Sequence, residues 1–380
     1  MAGIHLVRAS VGGLAVVVAA LGALSAAPPP AGPSATTEPP LEIPEAALKS
    51  GTGYEEQVGA RIKHWAEVIR SAKDPGVEDA VIKARNGLVA DYAKYDNARY
   101  QFLFARESAR QLTPLLGVAD QYKHLKQVNV AMALARMTSA SIQEALDKMV
   151  SHENPAVRYL GWQGYRASRT VVMGQSRAAI ARMFQTLKDR ADKETSAPAM
   201  GAMFQCLRLP ARPQQVSERD YQEAQKMAAE VLLTCWRKRC EQTWAGDAEM
   251  TEMCRAGVDA WAALADHVAA DKDLLKKALQ SLLDLAWCAA KPFAQTALSE
   301  VEMLLLQDCE GALNAIKKTQ KKYIESPLEP GTPAQRSAVG SGILKWVADL
   351  KEDSAAEPKF QTPTTTSAPA TTPAATAPTP

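Results

Sequence analysis

Apolar residues recur at three- and four-residue spacing through most of residues 54–351, while the alternation that marks a strand is almost missing. That periodicity commits the chain to helices, because a stripe built on a 3.6-residue period cannot double as one face of a strand. The spacing predicts helices at 54–72, 77–93, 97–112, 120–137, 175–191, 197–208, 218–244, 248–269, 272–290, 293–319 and 334–351, with a further pair around residue 150. Asn86-Gly87, a hairpin dipeptide in other settings, lies inside the helical pattern of Val81, Ile82, Leu88 and Val89. The expected fold class is all-α.

The pair around residue 150 is written most clearly. Ser141 followed by Glu144 has the form of a capping box, and Ile142, Ala145, Leu146, Met149 and Val150 follow as one apolar face. Asn154 is placed to cap the next helix, with Pro155 at its first position, where a missing N–H costs nothing. Val157, Leu160, Gly161, Gly164 and Ser168 then form the buried face, and their small members allow a neighbouring helix to approach closely. Similar capping signals stand at Ser217 with Asp220 and at Ser281 with Asp284.

Residues 139–172, with a capped first helix, a short Asn-Pro turn and Val157-Arg158 opening the second helix, resemble a HEAT repeat. Residues 174–208 resemble it more loosely, and the helices after Ser217 are too long for the pattern. The resemblance implies antiparallel helix pairs stacked as an α-solenoid, with units of about 40 residues.

The two ends differ in kind from this body. His5 and Arg8 precede a charge-free run, Val11 to Leu24, which closes on small residues before a proline cluster. This is the form of a secretory leader, with cleavage expected between Ser25 and Ala26; an uncleaved anchor is the alternative, and membrane contact is expected only through it. The expected organisation is a leader at 1–25, a Pro-rich linker at 26–50, HEAT-like repeats at 51–212, a second helical region at 213–352 and a disordered Thr/Pro/Ala-rich tail at 353–380.

Signatures of chemistry are missing. No phosphate-cradling glycine loop, dinucleotide fingerprint, Gly-X-Ser-X-Gly, Ser-X-X-Lys, His-Glu-X-X-His or Cys-X-X-Cys occurs, so no catalytic residue, metal or cofactor is expected. His64 with Glu67, and Asp120 with His124, share helix faces as ordinary polar pairs do. A net charge of +2 is too small for a chain that binds nucleic acid through phosphates. All six cysteines lie between Cys206 and Cys309. Cys240 and Cys254 flank the Ala245-Gly246-Asp247 turn symmetrically and are a candidate disulfide, closing a loop of about fifteen residues and contributing roughly 3 kcal/mol.

Two surface features are candidates for binding. Arg158, Trp162, Arg166 and Arg169 follow one helix stripe and could stack on an anionic or sugar ligand; alternatively they pair with the adjacent helices. Lys317, Lys318, Lys321 and Lys322 complement the negative end of a helix dipole, or meet an anionic lipid surface. Together these readings point to an exported, non-enzymatic scaffold of the periplasm, cell envelope or exterior, with protein or envelope glycan as partner. An enzyme acting on envelope polysaccharide and a purely structural spacer are the alternatives.

Overall fold

The computed structural model describes residues 43–50, 53–243, 248–291, 296–324 and 329–351, and among them every regular element is helical. The first half contains α1 (Glu45–Ser50), α2 (Glu55–Ser71), α3 (Val77–Ala93), α4 (Ala98–Leu112), α5 (Lys123–Ala135), α6 (Gln143–Met149), α7 (Pro155–Gln175), α8 (Arg177–Ala191) and α9 (Ala197–Leu207). The second contains α10 (Glu218–Thr243), α11 (Ala248–Ala263), α12 (Ala265–Ala270), α13 (Lys272–Ala290), α14 (Glu300–Lys317) and α15 (Pro333–Asp349). The expected leader, its Ser25–Ala26 cleavage point and the Thr/Pro/Ala-rich tail lie outside the described residues.

Local chemistry sets the helix ends. Asn97, Ser176, Ser196 and Asp271 accept first-turn N–H groups of α4, α8, α9 and α13, each supplying an acceptor that the helix itself lacks. Asn154 does the same for α7 through Ala156 N–H at 2.9 Å, with Pro155 at the first position as the sequence implies. Ser217 accepts from Asp220 N–H at 3.1 Å.

Three expectations need correction. The box at Ser141 does not form: Ser139 caps a 3-10 turn, Ala140–Ile142, and Ser141 Oγ instead donates to Phe102 O at 3.2 Å. Ser281 lies inside α13, where its hydroxyl donates to Lys277 O, a bond available to serine anywhere in a helix. The stretch expected to begin a helix at 293 begins one at Glu300, behind a true capping box in which Ser299 and Glu302 bond each other's backbone N–H groups. In addition, α1 and buried Ile43 fall within the segment expected to be a linker.

Packing is regular. α3 lies against α5, α5 against α7, α7 against α9, α9 against α11 and α11 against α14. In a second series α2 lies against α4, α8 against α10, α10 against α13 and α13 against α15. A helix in the middle of either series therefore buries two sides, and fully buried Trp162, Trp261 and Trp346 fill positions along the stack. Each such side chain contributes a few kcal/mol of hydrophobic stabilisation.

Side-chain bonds between helices vary in step, 18 residues for Tyr165 with Asp147 and 56 for Lys126 with Arg70, and several fall near 36. Ser141 reaches back 39 residues to Phe102 and His152 back 36 to Leu116, while Gln143 reaches forward 36 to Ala179 and Arg158 forward 36 to Glu194. Beyond α9 the step lengthens to 51 residues for Arg208 with Asp259 and 53 for Arg255 with Asp308. The 26-residue α10 accounts for much of the increase.

Close approach is visible where the sequence places glycines. A Cβ at Gly161 would come within 2.8 Å of Val150 Cγ1 and 2.9 Å of Met149 Cβ, and one at Gly164 within 3.1 Å of Ala135 Cα. Gly87 in α3 likewise leaves room for Trp65. Gly161→Ala is expected to lower stability by about 1–3 kcal/mol through overpacking, whereas Gly117→Ala, whose Cβ meets nothing within 4 Å, should change it by less than about 0.5 kcal/mol. Urea unfolding midpoints of the two variants check this difference.

Candidate functional site

The stripe Arg158–Trp162–Arg166–Arg169 occupies the side of α7 that packs towards α9 and the connection before it. Trp162 has no exposed surface at all, so no ligand can stack on it from solvent. Arg158 donates to both oxygens of Glu194 at 2.9 Å and to the carbonyls of His152 and Glu153 at 3.0 and 2.8 Å. Arg166 bonds Gln205 Oε1 at 2.6 Å, and Arg169 donates to Gln205 O at 2.9 Å. The sequence pattern reveals one apolar stripe on α7; the structure adds a second contact side, on which Trp162 is buried, Arg158 and Arg169 are half-buried and Arg166 is exposed. The four residues are brought together as a fastening between α7 and α9.

The same contact encloses Cys206, whose Sγ donates to Trp162 O at 3.2 Å. Burial pushes this thiol up to about 12, and burial raises Cys309 as well, so neither has the thiolate character of a nucleophile. Burial also lowers Arg169 from its ordinary value. Cys254 is buried, while the side chain of Cys240 lies outside the described residues, and with it the expected Cys240–Cys254 bridge.

The lysine cluster after α14 is partly paired. Lys318 reaches Asp266 at 3.1 Å, and Lys321 and Tyr323 both donate to Asp349, whose carboxyl is held below its usual range by the Lys321 bond. Asp120 is engaged by Lys126 Nζ at 2.7 Å and by Tyr122 N–H at 2.9 Å, which lowers its titration. His124 faces Asn154, and His64 lies edge-on to Trp65. Among the described residues no group of three or more His, Cys, Asp or Glu side chains is arranged to hold a metal, and no helix is long and apolar enough to cross a membrane.

What sequence reasoning missed is a recess of about 340 Å³ between the 3-10 turn Thr113–Gly117, the N-terminus of α5 and the end of α6. Leu116 and Gln127 are its buried lining, and Lys123, Lys148, His152 and Glu153 are among the other residues that line it. Gln127 donates from Nε2 to Leu116 O at 2.9 Å and to Val118 O at 3.1 Å. Both amide protons are thereby used, which fixes the orientation of the group and leaves Oε1 buried without a partner. His152 Nδ1 accepts from Asn154 N–H at 3.0 Å, so its proton sits on Nε2 and is donated to Leu116 O at 2.9 Å. The two lysines are only loosely paired, Lys123 with Glu153 at 3.9 Å and Lys148 with Glu144 at 3.8 Å. The one signal in the sequence is the polar run Lys126-Gln127 beside Asn129 in an otherwise apolar helix.

Neither a protein-family model nor a curated protein matches the chain. Among solved structures, the crystal structure of an engineered protein from a structural genomics consortium is similar to it at 14% identity over 68% of this chain and 96% of its own, with a TM-score of 0.37.

Removing Arg158 would take away the cation that pairs with Glu194, a carboxylate only 2% exposed that also accepts from the N–H groups of Thr195 and Ser196. Arg158→Ala is therefore expected to cost about 3–5 kcal/mol, and Arg166→Ala, at an exposed hydrogen bond, at most about 1 kcal/mol. Chemical denaturation of both variants would show the contrast, and equal losses would contradict the assignment.

Proposed function

We propose that the chain is an exported, non-enzymatic scaffold, an α-solenoid of HEAT-like helix pairs that offers protein-binding surface in the cell envelope or outside the cell. The observation that carries this reading is a set of inter-helix bonds between Phe102 and Gln205 that span 35–39 residues, close to the length of one HEAT unit. Polar groups that could have formed a catalytic set, such as Arg158, Asp147 and Glu194, are spent on joining one helix to the next. Stacks of this kind act through extended surface more than through deep pockets. Export is supported by the leader-like sequence of residues 1–25, and a protein partner fits this surface better than glycan, since Trp162, the ring a sugar would stack on, is buried and Arg158 is paired with Glu194.

Two measurements test the reading together. A fusion of residues 1–50 to a reporter that is active only outside the cytoplasm should be active, and the mature product should begin at Ala26. A photo-cross-linking residue in place of exposed Phe102 or Leu344 should give a discrete protein adduct in the native envelope. A product retained inside with Met1 attached would overturn export, and only uncrosslinked chain from both positions would overturn the binding role.

A further inference from the structure

Cys254 and Cys309 are buried reactive groups that the scaffold reading leaves unused. We propose that they form a disulfide bridge between α11 and α14, made while the chain folds in the presence of a disulfide oxidant. Two ion pairs fix how these packed helices lie. Arg255 Nε meets Asp308 Oδ2 at 2.6 Å, and Asp266, just beyond α11, meets Lys318, just beyond α14, at 3.1 Å. Early residue pairs with early and late with late, so α11 and α14 run parallel. A helix turns about 100° per residue. Cys254 precedes Arg255 and Cys309 follows Asp308, so in a parallel pair both turn from that bond to the same inner side and face each other.

Burial agrees with this placement. Cys254 is 1% and Cys309 0% exposed, whereas Arg255 and Asp308 are half-buried. Burial raises the Cys309 thiol, and the Asp308 carboxylate and the Cys254 sulfur raise it further, an effect that acts between near neighbours. The two cysteines differ in level by about two residues, or roughly 3 Å of rise. For helix axes about 8–9 Å apart, Cα atoms on a radius of about 2.3 Å then lie roughly 6–7 Å from each other, the upper end of what a disulfide spans.

The chemistry is thiol–disulfide exchange. One cysteine thiolate attacks the S–S bond of the oxidant and releases one of its sulfurs, which takes up a proton. The second thiolate attacks the mixed disulfide, closing the protein S–S bond and releasing the other sulfur. Two protein thiols are oxidised and one disulfide is reduced to two thiols. Since burial disfavours the thiolate, exchange precedes the closing of α11 on α14, and the same burial then shields the bond. The bridge would hold the register of levels beyond α9, where the step between helices lengthens. An oxidising compartment suits it, but the oxidant can be supplied in vitro, so failure there leaves export and helix stacking untouched.

The full chain, reduced and unfolded, is refolded in a glutathione buffer rich in the disulfide form, then denatured and treated with N-ethylmaleimide without reductant. Of its six cysteines, two should be withheld from the label, counted by intact mass. Cys254→Ala and Cys309→Ala should each label at every remaining cysteine, while Cys240→Ala should still withhold two. Circular dichroism of the reduced variants checks that each folds, and the wild-type and Cys240→Ala counts decide the matter where a core variant does not. The bridged wild-type chain should melt at least about 5 °C above the reduced one. Label on all six wild-type cysteines would overturn the bridge. Label throughout the Cys240→Ala chain would also overturn it, by assigning the withheld pair to Cys240.

Discussion

The last carbonyls of a helix have no partner within that helix, and in this protein a cation from a different element repeatedly supplies one. Lys126 of α5 donates to Arg70 O at the end of α2, at 2.9 Å. Arg169 of α7 donates to Gln205 O near the end of α9, and Arg336 of α15 to Ala290 O at the end of α13, at 2.8 Å. Placing positive charge against the negative end of a helix dipole is favourable, and a charge-assisted bond of this kind contributes about 1.5–3 kcal/mol. The consequence is geometric as much as energetic. Each bond fixes where one helix ends relative to the side of another, so successive levels are held in register.

Burying a cation has its own cost, and at Arg336, Arg61 and Arg158 the structure meets it with a carboxylate. Arg336, almost fully buried, donates to Thr296 O, Ala297 O and Ala290 O and to Glu302, the same carboxylate that closes the capping box at Ser299. Arg61 pairs with Asp91, which also accepts from Trp65 Nε1 at 3.1 Å, and Arg158 pairs with Glu194. Pairs of this sort add little net stability over an apolar filling, but they are costly to break singly. They therefore specify which helix meets which, a need that is acute among helices whose similar apolar faces could slide past one another.

This division explains what the sequence made legible. Helix positions are local information: Asn154-Pro155 announces the start of α7 by itself, and Gly161 and Gly164 announce a close neighbour. Partners across the stack are not local. Nothing near Arg158 indicates Glu194, 36 residues away, and the stripe at Trp162 reads as surface because sequence periodicity displays one apolar face while α7 buries two. The false box at Ser141 has the same origin, since its hydroxyl is drawn off by a carbonyl 39 residues earlier. The true box at Ser299 and Glu302 is equally local, but a longer apolar run around it hides where the helix begins.

The recess follows from the same constraint that builds the stack. Capping carbonyls from outside consumes donors, and a side chain that carries both donors and an acceptor is left with the acceptor. Gln127 is such a side chain, as both its protons go to the carbonyls that follow α4, Leu116 O and Val118 O. The interior of the stack also holds leftover polar atoms, Trp162 Nε1 and Arg169 Nε, but these are donors enclosed between α7 and α9. The Gln127 oxygen is an acceptor, enclosed as fully behind the wall of the recess. The fastening of helices thus leaves single polar atoms unused beside the bonds it forms, each a cost that those bonds have to offset.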